Sequence, residues 1–207
     1  MKKAITENDI LLLIKNGLTE IHLKKNEILT PSAIDRIKQA RLKIIFDGDE
    51  KKHTKIFRKI VIGSDHTGVK IKKILVEYLK NKNYDVLDVG THTEDSVDYP
   101  DIALNVAQRV ASKEFDCGIL IDATGIPSAI AANKIPGIRA ATCYNEFSAK
   151  SSREHNDANI ISLGAKALGE ESIKSIVEVW LNSNFLGERH QRRLDKVKSI
   201  EEKFMKC

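Results

Sequence analysis

From residue 59 onward the apolar positions of this chain alternate between short unbroken runs and helical spacing. The run KIVIG at 59–63 is followed by Val69, Ile71, Ile74, Leu75, Tyr78 and Leu79, which share one face of a helix over 68–80. The same alternation continues with a strand at 84–89 (YDVLDV), a helix at 100–111 and the strand CGILI at 117–121. That last run is wholly apolar, as expected for a strand buried on both faces of a parallel sheet. A helix over 126–134, a strand over 138–143, a helix over 146–154 and a strand over 159–163 come next, and two helices over 169–182 and 190–203 close the chain. Five strands alternating with helices predict an α/β fold, a doubly wound five-stranded parallel (Rossmann-like) sheet. Ligands of such sheets bind beyond the carboxyl ends of the strands.

The first 46 residues read differently. TENDILLLIK at 6–15 is an amphipathic helix with Thr6 or Asn8 as its cap, and EIHL at 20–23 alternates like a short strand. Thr30 is a natural N-cap, Pro31 suits a first helical turn, and LKIIF at 42–46 reads as a second strand. The expected organisation is therefore a small α+β appendage over 1–46, a polar linker over 47–58 (containing GDEKKHTK) and a main domain over 59–207. An isolated unit of that size is marginal unless docked on something.

Charge narrows the partners. The net +5 resides in the first 59 residues, which hold 14 Lys/Arg against 8 Asp/Glu, while the remainder holds 20 against 21. The basic residues are interspersed with acids and lack interleaved aromatics, which argues against nucleic acid. No apolar run approaches the roughly 20 residues that span a bilayer, and the N-terminal lysines precede no signal-type apolar stretch. A cytoplasmic protein without membrane association is expected. Three cysteines at no metal-ligand spacing give neither a disulfide framework nor a metal site, and Cys117 and Cys143 read as small buried hydrophobes.

Four polar segments fall at strand ends or helix starts: 63–68 (GSDHTG), 122–128 (DATGIPS), 153–157 (REHND) and 187–193 (GERHQRR). Each has an ordinary reading as a cap, a βα turn or a solvated face. GSDHTG is not the dinucleotide fingerprint, so a nicotinamide enzyme is not expected, and the chemistry the segments suggest below is cofactor-free. Taken together, the segments supply helix-start N–H groups and guanidinium groups for a phosphate. They also supply histidines and carboxylates for proton transfer near neutral pH. Aldose–ketose isomerisation needs a phosphate anchor, a group that opens the sugar ring and a base beside the carbonyl.

These segments, with Asp98-Tyr99-Pro100, Gly118 to Ile121, Ile130 to Lys134 and Gly137-Ile138-Arg139, resemble type B ribose-5-phosphate isomerases and the related galactose-6-phosphate isomerase subunits. The resemblance covers about 59–204. It implies a phosphorylated sugar as substrate, catalytic roles for Asp122, Thr124, His155 and Asp65, and substrate contacts from His66, Tyr99, Gly125, Ser128, Asn156, Lys166, Arg189 and Arg193. His66, Arg189 and Arg193 would meet the phosphate, His155 would assist ring opening, and the 123–128 backbone would cradle the carbonyl or enediolate oxygen. It also implies a homodimer or dimer of dimers with shared active sites.

Two departures carry weight. Many members have a catalytic cysteine where this chain has Asp122, and others have a glutamate where it has Ser128. Pro127 stands at a usual glycine and removes an N–H. A carboxylate is ionised at neutral pH without the activation a thiol needs, so Asp122 is the expected base. A non-catalytic sugar-phosphate-binding subunit or sensor, which has lost the family's cysteine, is the alternative. The first 46 residues resemble N-terminal segments of enzymes associated with bacterial microcompartments, which implies contact with a shell or cargo partner and a location inside such a compartment. A plain dimerisation appendage is the competing reading.

Overall fold

The computed structural model describes residues 3–24, 26–47 and 57–205. The chain divides into two compact units, Met1–Thr54 and Lys55–Cys207. Residues 48–56, most of the expected linker, lie outside the described residues, as does Cys207.

The first unit contains β1 (Lys3–Ile5), α1 (Glu7–Lys15), β2 (Glu20–Lys24), β3 (Glu27–Leu29), α2 (Pro31–Gln39) and β4 (Lys43–Asp47). It is strand–helix–strand twice over. Both helices start at a threonine: the Asp9 carboxylate accepts the Thr6 N–H at 2.7 Å, and Thr30 Oγ1 accepts the Ala33 N–H at 3.3 Å. Both end in left-handed backbone, at Gly17 and at Arg41, followed by a leucine whose N–H returns to the helix. The strands interleave as two parallel pairs, β1 with β3 and β2 with β4. Ile10, Ile21, Leu23, Ala33 and Ile37 form the core between them. β1 and β3 are additions to the sequence reading. Three residues carry too little periodicity to register, and each strand exists because the other pairs with it.

The second unit is the predicted α/β sheet. Its elements are β5 (Lys59–Ser64), a 3₁₀ turn (His66–Gly68), α3 (Val69–Asn81), β6 (Asp85–Asp88), α4 (Tyr99–Ala111), β7 (Cys117–Asp122), α5 (Ile126–Ala132), β8 (Ala140–Thr142), α6 (Glu146–Asn156), β9 (Ile160–Gly164), α7 (Glu170–Leu181) and α8 (Arg189–Phe204). All five strands are parallel, in the order β6-β5-β7-β9-β8. The central strands divide their side chains between two cores. Ile60, Ile62, Ile119, Ile121, Ile161 and Leu163 pack with Leu75 and Leu79 of α3 and Ile173, Ile176 and Trp180 of α7. Val61, Leu120 and Ile160 pack with Ala103, Val106 and Ala107 of α4 and Ala132 of α5. Burial on both faces is why these strands read as continuous apolar runs.

Phe57 belongs to the first of these cores, stacked on Trp180 with ring centroids 5.4 Å apart. A chain beginning at Lys55 retains that contact and is expected to unfold in a single cooperative thermal transition. Aggregation or a broad, non-cooperative melt of this truncation would show that the first unit completes the larger core.

Candidate active site

Strand order locates the crevice. From β5 the chain passes to β6 on one side of the sheet and then to β7 on the other, so β5 and β7 flank the topological switch point. Their register pairs Ser64 with Ile121, and the Asp65 N–H continues the ladder onto the Ile121 carbonyl at 3.1 Å. One residue further, Asp65 and Asp122 end neighbouring strands, whose backbones run about 4.8 Å apart in any sheet. Both are buried, Asp122 at 1% exposure.

The Asp122 carboxylate organises the loop that follows it. Oδ1 accepts the N–H groups of Thr124 (2.8 Å) and Gly125 (2.6 Å), and Oδ2 accepts the Ser128 N–H at 3.1 Å. The loop is gripped from outside as well. Thr142 Oγ1 donates to the Gly125 carbonyl at 2.8 Å, and the Tyr144 hydroxyl donates to the Thr124 carbonyl at 3.0 Å. From the residues just after β9, the Ala165 and Lys166 N–H groups donate to the carbonyls of Asp122 and Ala123. Gly125 has φ +80°, and a Cβ on Gly164 would lie 2.7 Å from the Thr124 backbone, so both glycines are required by the close approach of loop and strand.

Within the 123–128 backbone, which the resemblance gives to a substrate oxygen, the Thr124, Gly125 and Ser128 N–H groups donate to the chain's own Asp122 carboxylate. Gly125 and Ser128 act on Asp122 through their backbone. Thr124 is exposed, and its Oγ1 accepts the Ile126 N–H at 3.3 Å. Of the two Asp122 oxygens, Oδ2 carries the single N–H contact and keeps the larger accepting capacity.

Beside this loop, Asp65 caps the 3₁₀ turn, its Oδ1 accepting the Thr67 N–H (2.9 Å) and hydroxyl (2.6 Å). His66 Nδ1 accepts the Val97 N–H at 3.4 Å. Tyr99 opens α4 with its side chain exposed, and Lys166 is exposed at the end of β9. The loop between β6 and α4 is tied down by Lys72, buried at 1% exposure. Its ammonium donates to Asp88 Oδ1 and to the Thr91 carbonyl, each at 2.6 Å. Lys72, Thr142 and Tyr144 were missed from sequence. Lys72 had a signal, because it shares the apolar face of α3 with Leu75 and Leu79.

The remaining expected residues form a second cluster. His155 Nδ1 lies 3.1 Å from Ser151 Oγ, and its ring stacks on His190 with centroids 4.3 Å apart and planes 4° from parallel. Asn156 is exposed at the end of α6, and Arg189 and Arg193 are exposed on the first turns of α8. α8 is entered through two left-handed residues, Gly187 and Glu188, and the Leu186 N–H is fastened to the Glu154 carbonyl at 3.0 Å. Tyr144, at the Asp122 loop, is bonded to Ser148 in the first turn of α6, whereas His155 is in its last turn. At 1.5 Å rise per residue, Ser148 and His155 are about 10 Å apart along the axis. Among the described residues no hydrogen bond or ion pair joins the two clusters.

The sequence profile of the ribose/galactose isomerase family matches residues 60–197. The chain belongs to this family. It is 42% identical to ribose-5-phosphate isomerase B of Escherichia coli over 146 residues, covering 70% of this chain and 98% of that protein. A putative sugar phosphate isomerase of Bacillus subtilis is 44% identical over 146 residues, with the same coverage. Among solved structures, ribose-5-phosphate isomerase B of Clostridium thermocellum superposes with a TM-score of 0.70 at 51% identity, covering 70% of this chain and 99% of that one. The Mycoplasma genitalium enzyme with bound ribulose-5-phosphate gives a TM-score of 0.67 at 41% identity, covering 70% and 96%. The family match lies within the second unit, and the first unit stands outside it.

Proposed function

We propose that this member of the ribose/galactose isomerase family interconverts the aldose and ketose forms of a phosphorylated sugar, ribose-5-phosphate foremost, through an enediolate. The observation that carries the reading is the buried Asp122 carboxylate at the switch point, with one oxygen accepting two N–H groups and the other only one. In this reading Asp122 Oδ2 takes the proton from C2 of the open-chain aldose. The C2–H electrons form the C1–C2 double bond, and the carbonyl electrons move onto O1. Returning the proton to C1, while the O2 proton passes to the O1 oxyanion and C2=O2 forms, leaves the ketose. Asp65 borders the sugar, His66, Arg189 and Arg193 hold the phosphate, and His155 opens the ring. Tyr99, Thr124, Asn156 and Lys166 line the pocket. The relatives reported above are named as isomerases, which favours catalysis over the non-catalytic binding alternative.

Ring opening and proton abstraction act on adjacent atoms, so His155 and Asp122 must serve one substrate from opposite ends of α6. A second copy of the chain resolves this, with each site drawing its carboxylates from one copy and its His155–Arg189–Arg193 cluster from the other. The first unit, in keeping with its resemblance, would dock the enzyme to a microcompartment shell or cargo partner.

Incubating the protein with ribose-5-phosphate and a panel of hexose-6-phosphates, and following ketose formation, tests the function. No turnover of any of them would reject it. For the shared site, inactive Asp122→Asn and inactive His155→Asn chains are mixed under subunit exchange. Hybrids contain one unmutated site and should regain activity, whereas a site confined to one chain would leave the mixture dead.

A further inference from the structure

His190 has no role in the reading above, yet it is the one side chain on α8 that is buried, at 4% exposure. It makes two directed contacts. Its ring lies flat on that of His155, and its Nε2 accepts the Nε–H of Arg189 at 3.3 Å. That acceptance assigns the tautomer: Nε2 is bare, and the ring proton sits on Nδ1, which is buried without a hydrogen-bond partner among the described residues. A buried N–H left unpaired is a cost, and a core position at the start of a helix could have been filled by an apolar ring without it.

We propose that His190 is a positioning residue for the isomerisation, fixing the His155 ring by stacking and aiming the Arg189 guanidinium by accepting its Nε–H. The inference rests on the isomerase reading, which gives those two side chains to ring opening and phosphate binding. One flat ring therefore couples the two ends of the sugar phosphate, so that neither group drifts while the other engages. The titratable and charged groups around His190 are His155 from α6, and Arg189 and Arg193 from its own helix. Burial first, then these three neighbours, hold the His190 ring below the ordinary imidazole range. The bare Nε2 thus persists at neutral pH. Only stronger acid adds a proton there, setting donor against donor and releasing Arg189.

Two substitutions separate the two contacts. His190→Phe keeps a flat ring against His155 but removes the acceptor. Its KM for the sugar phosphate should rise roughly ten-fold with kcat nearly unchanged, the pattern of lost uniform binding. His190→Gln keeps an acceptor at the Nε2 distance, within reach of Arg189, but removes the stack. Its kcat should fall roughly ten-fold and the acid limb of its pH profile should move, with KM nearly unchanged. His190→Met, which has neither ring nor good acceptor, serves as the control that loses both contacts. A residue that merely fills space would give the phenylalanine and glutamine variants the same proportional change, or none, and either result overturns the proposal. Calorimetry with inorganic phosphate runs alongside. If the native chain turns over no sugar phosphate, the isomerase reading fails on its own. The Arg189 contact is then judged by whether His190→Phe weakens phosphate binding while His190→Gln does not, and equal binding by the two variants overturns it.

Discussion

Asp122→Asn is expected to lower kcat by about 10²–10⁴-fold, the usual contribution of a general base, with little change in KM. The geometry adds a second consequence. An asparagine oxygen can still accept the Thr124 and Gly125 N–H groups, but its amide nitrogen would then face the Ser128 N–H, donor against donor. The loop should loosen, so the melting temperature should fall together with activity. Exchange of solvent deuterium into C2 of the substrate should be lost as well, because the enediolate route moves that proton. Asp122→Cys, which restores the residue many relatives of the resemblance carry, should retain measurable turnover. Wild-type kcat in Asp122→Asn would remove Asp122 as the base and turn attention to Asp65, its neighbour just past β5.

The largest loss of stability is expected at Trp180. Its side chain is fully buried, its indole N–H donates to Ser152 Oγ at 3.1 Å, and Phe57 stacks on it. The Arg153 guanidinium lies 5.7 Å from its ring centroid and 4.6 Å from that of Phe57. Arg153 is itself buried, with Nη1 donating to Asp157 Oδ1 and the Ala158 carbonyl. Removing the indole opens a cavity and strips an aromatic face from this cation, so Trp180→Ala should cost about 3–5 kcal/mol, the range for buried aromatic truncations. That is a large share of the roughly 5–15 kcal/mol a domain possesses. Urea unfolding followed by far-ultraviolet circular dichroism measures it. Trp180→Phe should recover part of the loss, and an alanine variant as stable as the native chain would show that the core can collapse around the gap.

Local pattern was sufficient for much of this protein because burial on two faces writes itself into composition. CGILI and KIVIG are apolar throughout, since each side of β7 and β5 meets a helix layer. The helices that cover them show the one-sided spacing this demands, and the strand–helix alternation then implied the parallel sheet and the edge where Asp65 and Asp122 lie. The threonine caps of α1 and α2 were legible for the same reason, as their hydrogen bonds are made within three residues.

Pairing across the chain was not legible. The sheet order, and with it the switch point between β5 and β7, depends on which strands meet. β1 and β3 are too short to read until they face each other. The engagement of the Asp122 carboxylate by its own loop depends on the Gly125 backbone and on Tyr144 and Thr142 arriving from β8 and the turn beyond it. Lys72 becomes intelligible only when Asp88 and the Thr91 carbonyl meet its ammonium. The stacking of His155 on His190 joins residues 35 positions apart through the packing of α6 against α8. A side chain's own type and spacing determine which element it joins, because backbone preference and burial act locally. Its partners are set by contacts between elements distant in sequence, and those exist only once the chain has folded.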